Sequence, residues 1–388
     1  MPITMKLNAP NSAPYAQIAA KSGTQYTADA YGNISNVALL DVLDLIEAGC
    51  LEIPVQPLVN FRNVIDGGDF SVNPFQRNVA GLATTNQNTT AISNTVTYFA
   101  DRWFSVGGAS SAILQGAIAD TSVPGFSTCL QFQRKAANTD TAVINLGQVI
   151  ESLDTIRLQG QQVTFSFWAA TGANYSGGAL SVKLYTGTGT NDTAANMVAG
   201  SWTGSATPIS TTQTLTGTMT RYQFTGVIPL TATQSGVLLS YTPSGTAGAA
   251  DYIKFHGFQL EVGTSASNFE HRDAQVELEI CQRYAWLINE PASGVVVGVG
   301  GAVAAANNQV YYMAAPVQML KAPTVTVSAG SFKVCAAAAA AAATGMAAGT
   351  THTVNAISVV STLTQTVGLS ATLQGGGGSG YILASADF

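Results

Sequence analysis

Residues able to move protons or hold ions are few in this chain: Lys and Arg total 15, Asp and Glu 21, His 3. The histidines, His256, His271 and His352, lie far apart. His271 alone has charged neighbours on both sides, in Glu270-His271-Arg272. A Glu–His pair offers general-base chemistry, but no third orienting group stands beside it in sequence. The triplet reads instead as a polar cluster that pins a turn. Glycoside hydrolysis needs two carboxylates flanking a cleft, which Glu151, Asp154, Glu261 and Glu270 offer in principle. Asp66 and Asp69 supply two carboxylates where calcium takes six to eight oxygens. Cys50, Cys129, Cys281 and Cys335 show no paired metal spacing and read as buried reduced thiols. Neither a metal nor a cofactor is expected. The chain has no glycine-rich phosphate loop, no His-Glu metal motif and no nucleophile elbow. Sugar recognition uses aromatic platforms. The candidates are Tyr175, Tyr185, Trp202 and Tyr241, each of which also reads as a packing residue.

The bulk composition narrows the setting. A chain of 388 residues has room for two or three domains. Only 9% of residues are charged, against about 25% in ordinary globular chains. Its polar surface must therefore be built from Thr, Ser, Asn, Gln and Gly. That suits short strands and turns, or burial in an assembly, and not helical bundles with charged faces. The net charge of −6 and the lack of a basic run argue against nucleic acid as a partner. With no cationic start followed by an apolar run, no signal peptide is expected. No apolar stretch reaches about 18 residues, so no membrane insertion is expected.

The elements that must position these residues follow from periodicity. Residues 1–56 read as a small α+β module. Met5-Lys6-Leu7 and 25–29 are its strands, 30–33 its turn, and Ser35 or Asn36 caps a helix from Val37 to Ala48. Pro54 and Pro57 mark the boundary of a second domain, 57–272. It opens on the Asp66-Gly67-Gly68-Asp69 turn and the Asp101-Arg102-Trp103 motif, a buried Trp with an ion pair at a sheet edge. Strands recur through it, the strongest being 162–169, where Val163, Phe165 and Phe167 alternate with Thr164, Ser166 and Trp168. The pattern is an antiparallel jelly-roll β-sandwich. Asp273 then caps a linking helix within 273–292, with Val276, Ile280, Tyr284 and Leu287 at helical spacing and Asn289-Glu290-Pro291 as its stop.

The last part, 293–388, reads as a C-terminal β-sandwich, so the fold class is mainly β. Its expected strands include 294–305 as a pair about a Gly300-Gly301 turn, 310–313, 323–328, 353–361, 363–372 and 380–388. The alanine run from Ala336 to Ala343 fits a short helix, a loop or placeholder residues. Gly375 to Gly378 reads as a flexible loop. Charge is so sparse here that an exposed surface would stick to itself, which points to a symmetric oligomer.

Three ordered segments resemble bacteriophage tail-fibre and minor virion structural proteins. The first is Gln259-Leu260-Glu261-Val262-Gly263, then Phe269-Glu270-His271-Arg272, then Glu277-Leu278 and Cys281-Gln282-Arg283-Tyr284. The second is the run from Asn63 to Phe70, with Gln76-Arg77 and Tyr98 to Trp103. The third comprises Pro316 to Met319, Ala322 to Val327 and the closing run from Gly380 to Phe388. The resemblance implies a non-enzymatic virion protein, external on the particle and made in the host cytoplasm. Its sandwich would be like a carbohydrate-binding module and would contact host-surface polysaccharide. The N-terminal module would dock to other virion proteins, and the assembly would be a homotrimer. Within that motif set Asp101, Arg102, Trp103, Glu261, Glu270, His271, Arg272, Gln282 and Arg283 are structural residues. The alternatives are a head or tail decoration protein without a receptor and, last in order, a polysaccharide depolymerase.

Overall fold

In a computed structural model the described residues are 3–7, 17–19, 22, 24–27, 33–37, 50–52, 62–70, 86–88, 95–100, 102–108, 113–300, 309–328, 330, 332–336, 339–342, 346–361, 371–378 and 380–388. Asp101 lies outside them. The chain divides into two compact units, Met1–Phe61 and Arg62–Phe388.

The first unit contains β1 (Ile3–Leu7), β2 (Gln17–Ala19), β3 (Gln25–Thr27), β4 (Asn33–Val37) and β5 (Cys50–Glu52). β1 lies between β4 and β5, and β2 pairs with β3. Ser35, Asn36 and Val37 do not start a helix. They belong to β4, whose β-branched Ile34 and Val37 take register with Met5 and Ile3. The rest of the expected helix, 38–48, is outside the described residues.

In the second unit the central strands are β6 (Asn86–Asn88), β7 (Thr97–Ala100), β8 (Trp103–Val106), β9 (Ile113–Ala119), β10 (Thr128–Arg134) and β11 (Ile144–Ile150). They continue with β12 (Gln162–Thr171), β13 (Leu180–Gly187), β14 (Ala206–Gln213), β15 (Thr220–Val227), β16 (Gln234–Tyr241) and β17 (Tyr252–Val262). They form two six-stranded sheets, ordered β15-β12-β17-β10-β9-β6 and β14-β13-β16-β11-β8-β7. The chain passes repeatedly between the two sheets, which is the jelly-roll arrangement. All pairings are antiparallel. Val163, Phe165, Phe167, Phe255, Phe258 and Leu260 from one sheet meet Leu146, Ile150, Val182, Leu184, Val237 and Leu239 from the other. Each such buried side chain contributes about 1.5–3 kcal/mol. Two short helices, α1 (Ser152–Ile156) and α2 (Ala194–Val198), lie in loops.

Helix α3 (Ala274–Gln282) starts where Asp273 accepts from the Gln275 N–H. It is shorter than the periodicity suggests. Leu287 falls in the next strand, β18 (Ala285–Asn289), opposite Leu383. The Trp, Leu and Ile of that segment suit a strand, and pairing with the last strand outweighs the helical spacing.

The C-terminal sandwich continues with β19 (Val296–Gly300), β20 (Gln309–Ala314), β21 (Thr324–Ser328), β22 (Lys333–Ala336), β23 (Ala339–Ala342), β24 (Ala347–Ala348), β25 (Ala356–Ser361), β26 (Ala371–Gln374) and β27 (Tyr381–Ser385). A three-stranded sheet, β18-β27-β21, covers a larger one ordered β23-β22-β26-β19-β20-β25-β24. Tyr311, Met313, Phe332, Val334, Ile357, Leu373, Ile382 and Ala384 fill the space between. The described alanines of the run, Ala336 and Ala339–Ala342, are in strands and not in a helix. β22 and β23 pair antiparallel, with Ala336 opposite Ala339. So few alanines cannot sustain an isolated helix, whereas β22 also gains hydrogen bonds from β26. Gly300 ends β19, while Gly301 and most of the expected strand 363–372 fall outside the described residues.

Candidate functional site

The motif residues converge on the segment 62–70. Arg272 bridges Asp66 at 3.2 Å and Glu277 at 3.0 Å, and its second Nη donates to the Asn63 carbonyl. The Gly67 N–H donates to Glu277. Glu270 accepts from the Asn63 N–H at 2.6 Å, and His271 lies 3.5 Å from Asp69 while half exposed. Glu261 pairs with Arg62 at 3.2 Å and accepts from Ser267. The expected ion pair with Asp101 lies outside the described residues; Arg102 has another partner. It reaches Asp66 at 3.1 Å, donates to the Val149 carbonyl and lies 3.5 Å above the Tyr284 ring. Trp103 is fully buried, 4.5 Å from the Phe258 ring centre. Arg283 grips both oxygens of Glu151, at 2.6 and 3.2 Å, and Tyr284 donates to the same carboxylate. Gln282 sits half-buried at the helix end.

Electrostatics follow from these contacts. Burial would raise Glu151, but hydrogen bonds from Arg283 and Tyr284 outweigh it and hold the carboxyl below its ordinary range. Burial raises Glu277 against the pull of Arg272. Burial would lower Arg272, but Asp66 and Glu277 hold it above its usual value. Of the four carboxylates suited to hydrolysis, Glu151 and Glu261 are engaged by arginines, Asp154 pairs with Arg157, and Glu270 holds main chain. The shallow cleft lined by Asn63, Asp69, Phe269, Glu270, Arg272 and Glu277 is part of this knot.

The four aromatic sugar-platform candidates do not share a surface. Trp202 is 3% and Tyr185 7% exposed. They pack together with Met197 and Leu238 on the outside of the second sheet, and the Trp202 ring N–H donates to the Thr193 carbonyl. Tyr241 is buried in the main core beside half-buried Tyr175. A stacking platform needs an open ring face, so Trp202, Tyr185 and Tyr241 are packing residues. The Tyr175 hydroxyl is tied to the Gly178 carbonyl at 3.2 Å.

The outer face of the first sheet is the more suitable surface. Alternation along β10 and β17 puts Leu130, Phe132, Ile253 and Phe255 inside, and Gln131, Gln133, Tyr252 and Lys254 outside. Register sets Gln131 opposite Lys254 and Gln133 opposite Tyr252. All four are half-buried. The Gln131 amide donates to Gln133 at 2.7 Å, and the Tyr252 ring packs on Gly172, where a Cβ would come within 2.9 Å of it. Lys254 is ion-paired with Asp120 at 2.7 Å. Asp120 would be raised by burial, but hydrogen bonds from Lys254 and Ser122 hold it well below the carboxylate range.

The other half of the same face is roofed. Arg221 lies 4.3 Å from the Trp168 ring centre and donates to the Ser267 carbonyl, and Phe126 packs on Trp168 and His256. At the junction β17 carries a bulge at Gly257, whose φ of +56° suits glycine. A Cβ there would meet Phe126 at 2.6 Å and Trp168 at 2.9 Å. Sequence reasoning missed this surface. The alternation Leu130-Gln131-Phe132-Gln133 was readable, and so was a strand from Ile253 onward, but not that the two lie side by side.

Among the described side chains Cys129, Cys281 and Cys335 form no disulfide; Cys129 and Cys281 are buried and Cys335 only half-buried, contrary to the expectation for Cys335, while the side chain of Cys50 is outside the described residues. Burial pushes the Cys129 thiol up to about 12. Burial also lowers His256 against the attraction of Asp120.

No protein-family model and no curated protein matches the chain. Similar solved structures include a CBM4 structure, with 19% identity over 42% of this chain and 88% of that one, TM-score 0.27. TmCBM61 in complex with β-1,4-galactotriose has 12% identity over 52% and 99%, TM-score 0.29. The enzymatically active domain of bacteriophage CBA120 tailspike protein 4 has 16% identity and TM-score 0.29, with 52% of this chain matching 22% of that one. These scores assign the chain to none of the three groups.

Proposed function

We propose that the central sandwich binds glycans through Gln131, Gln133, Tyr252 and Lys254, as the contact surface of a phage-like fibre or spike. The observation that carries the binding reading is the half-open strip of amides and one phenol on a rigid sheet. Flat amides and an aromatic ring are the groups that recognise sugar hydroxyls and sugar faces, and a preformed face loses little entropy on binding. The Lys254 charge is answered by Asp120, which favours neutral polysaccharide over acidic. The virion assignment rests on the segment resemblance, and imaging of labelled particles tests it.

A glycan array on the intact chain is expected to show selective binding of neutral glycans that changes little with salt. Tyr252→Ala should weaken it about tenfold or more, an effect of about 1.4 kcal/mol. Binding that survives Tyr252→Ala and Gln131→Ala together would refute the assigned face. Absence of any selective binding would favour the decoration reading, and release of reducing sugar the enzymatic one.

The C-terminal sandwich is proposed to join copies of the chain. Val295, Val296, Val299 and Tyr312 are exposed large apolar residues there, 49% to 62% accessible, with Val299 opposite Tyr312 in register. A trimer is the expected form, to be checked by sedimentation.

A further inference from the structure

Beside the open strip, three side chains with ligand atoms meet. Asp120 follows β9, Cys129 lies in β10 and His256 in β17, and their ligand atoms all lie within 4.8 Å of one another. Asp120 Oδ1 is 3.4 Å from His256 Nε2, and Asp120 Oδ2 is 3.8 Å from Cys129 Sγ. Around a tetrahedral ion with bonds of about 2.0–2.3 Å, neighbouring ligand atoms stand about 3.3–3.8 Å apart. The Asp120 Oδ1–His256 Nε2 spacing already suits such an ion; Cys129 Sγ stands nearer the other oxygen, and the three ligand atoms, all within 4.8 Å, close on one ion with a small movement of the sulfur.

A second observation points the same way. His256 is 0% exposed, and neither ring nitrogen closes a well-angled hydrogen bond, although Asp120 and the Thr128 main chain adjoin the ring. A buried imidazole left in that condition is costly. Packing alone would be better met by an apolar residue among Phe126 and Trp168. A metal bond at Nε2, the nitrogen that faces Asp120, would satisfy one of the two.

We propose that Asp120, Cys129 and His256 bind a transition-metal dication of the zinc class. A thiolate and an imidazole select against magnesium and calcium, which prefer oxygen ligands. Asp120 supplies the oxygen and keeps Lys254 on its far atom, since a carboxylate has lone pairs for both. The sulfur ligates as thiolate, its proton leaving to solvent. Three protein ligands leave a fourth position for water. The ion would clamp the end of β9 to β10 and β17, and the proposal stands whether or not the neighbouring strip binds sugar.

The test uses the full chain, stripped with a chelator and titrated with cobalt(II), then zinc. One equivalent of cobalt is expected to produce a sulfur-to-metal charge-transfer band, which zinc abolishes. Cys129→Ser should remove the band, and Cys335→Ala should leave it unchanged. His256→Ala should weaken zinc by about 100-fold or more, beyond the 10–100-fold typical of outer-shell losses. Should either variant fail to fold, X-ray absorption on the zinc-loaded unmodified chain decides, with one sulfur and light N/O ligands expected. Failure of the unmodified chain to bind one equivalent, a shell without sulfur, or a band that persists in Cys129→Ser would overturn the site.

Discussion

The two sandwiches of the second unit bury charge in opposite ways. In the central one, buried ions meet ions. Arg134 and Asp251, both essentially inaccessible, pair at 2.9 Å, and Arg134 also holds the carbonyls of Asn138, Asp140 and Gly245. In the C-terminal sandwich, a buried carboxylate meets main chain. Glu290 accepts from the N–H groups of Gly376, Gly378 and Gly380 at 2.8, 3.1 and 2.9 Å. The glycine run is thus an anion-holding loop, not the free one its composition suggested. Gly377 adopts φ +82°, and a Cβ on Gly380 would sit 2.8 Å from the carboxylate itself. A chain segment with few cations can still satisfy a buried acid if its backbone bends closely enough. Where cations are present, they tie distant segments together instead.

That contrast can be broken by substitution. The largest losses belong to the central sandwich. Trp103→Ala should cost about 3–5 kcal/mol in denaturant unfolding, and an unchanged midpoint would contradict its burial. Arg134→Ala should cost about 3–5 kcal/mol by leaving the buried Asp251 charge with Ser176 as hydrogen-bond donor but no counterion, and Arg134→Met with Asp251→Leu should recover much of it. Glu290→Gln should cost about 1–3 kcal/mol, confined to the C-terminal sandwich when followed by hydrogen exchange.

The pH response should divide the same way. Glu151 is held below its unfolded pKa, so its contribution is present above the ordinary glutamate range and is lost as pH falls through the lower folded value. Glu151→Gln should flatten that part of the acid limb, which a titration of unfolding free energy would read. The smallest stability effect, within about 0.5 kcal/mol, is expected for Val299→Lys. It should nonetheless lower the oligomer mass in sedimentation.

Strands were legible wherever one apolar face alternated with a polar one, as along β12 and β10. The Asp273 cap was legible because its chemistry is local. Residues whose role depends on a distant strand were not. Asp66 meets Arg272 across most of the second unit, and the burial of Trp202 depends on Met197 and Tyr185 folding over the second sheet. The alanine segment carries no periodicity at all, so only its neighbour β26 decides between helix and strand. Tyr252 and Lys254 join Gln131 and Gln133 only through the register of β10 with β17, which no local pattern shows.

The junction between the sandwiches has a mechanical consequence. Arg283 holds Glu151 on one side and the Gln318 carbonyl on the other. The Leu320 N–H returns to the Arg283 carbonyl, and Phe388 closes over Arg102 and Tyr284. Load applied to one sandwich would therefore pass to the other through a short chain of hydrogen bonds. Any multimer joined through the C-terminal sandwich would present its outer faces at fixed spacing. Its avidity would then depend on how closely its targets match that spacing.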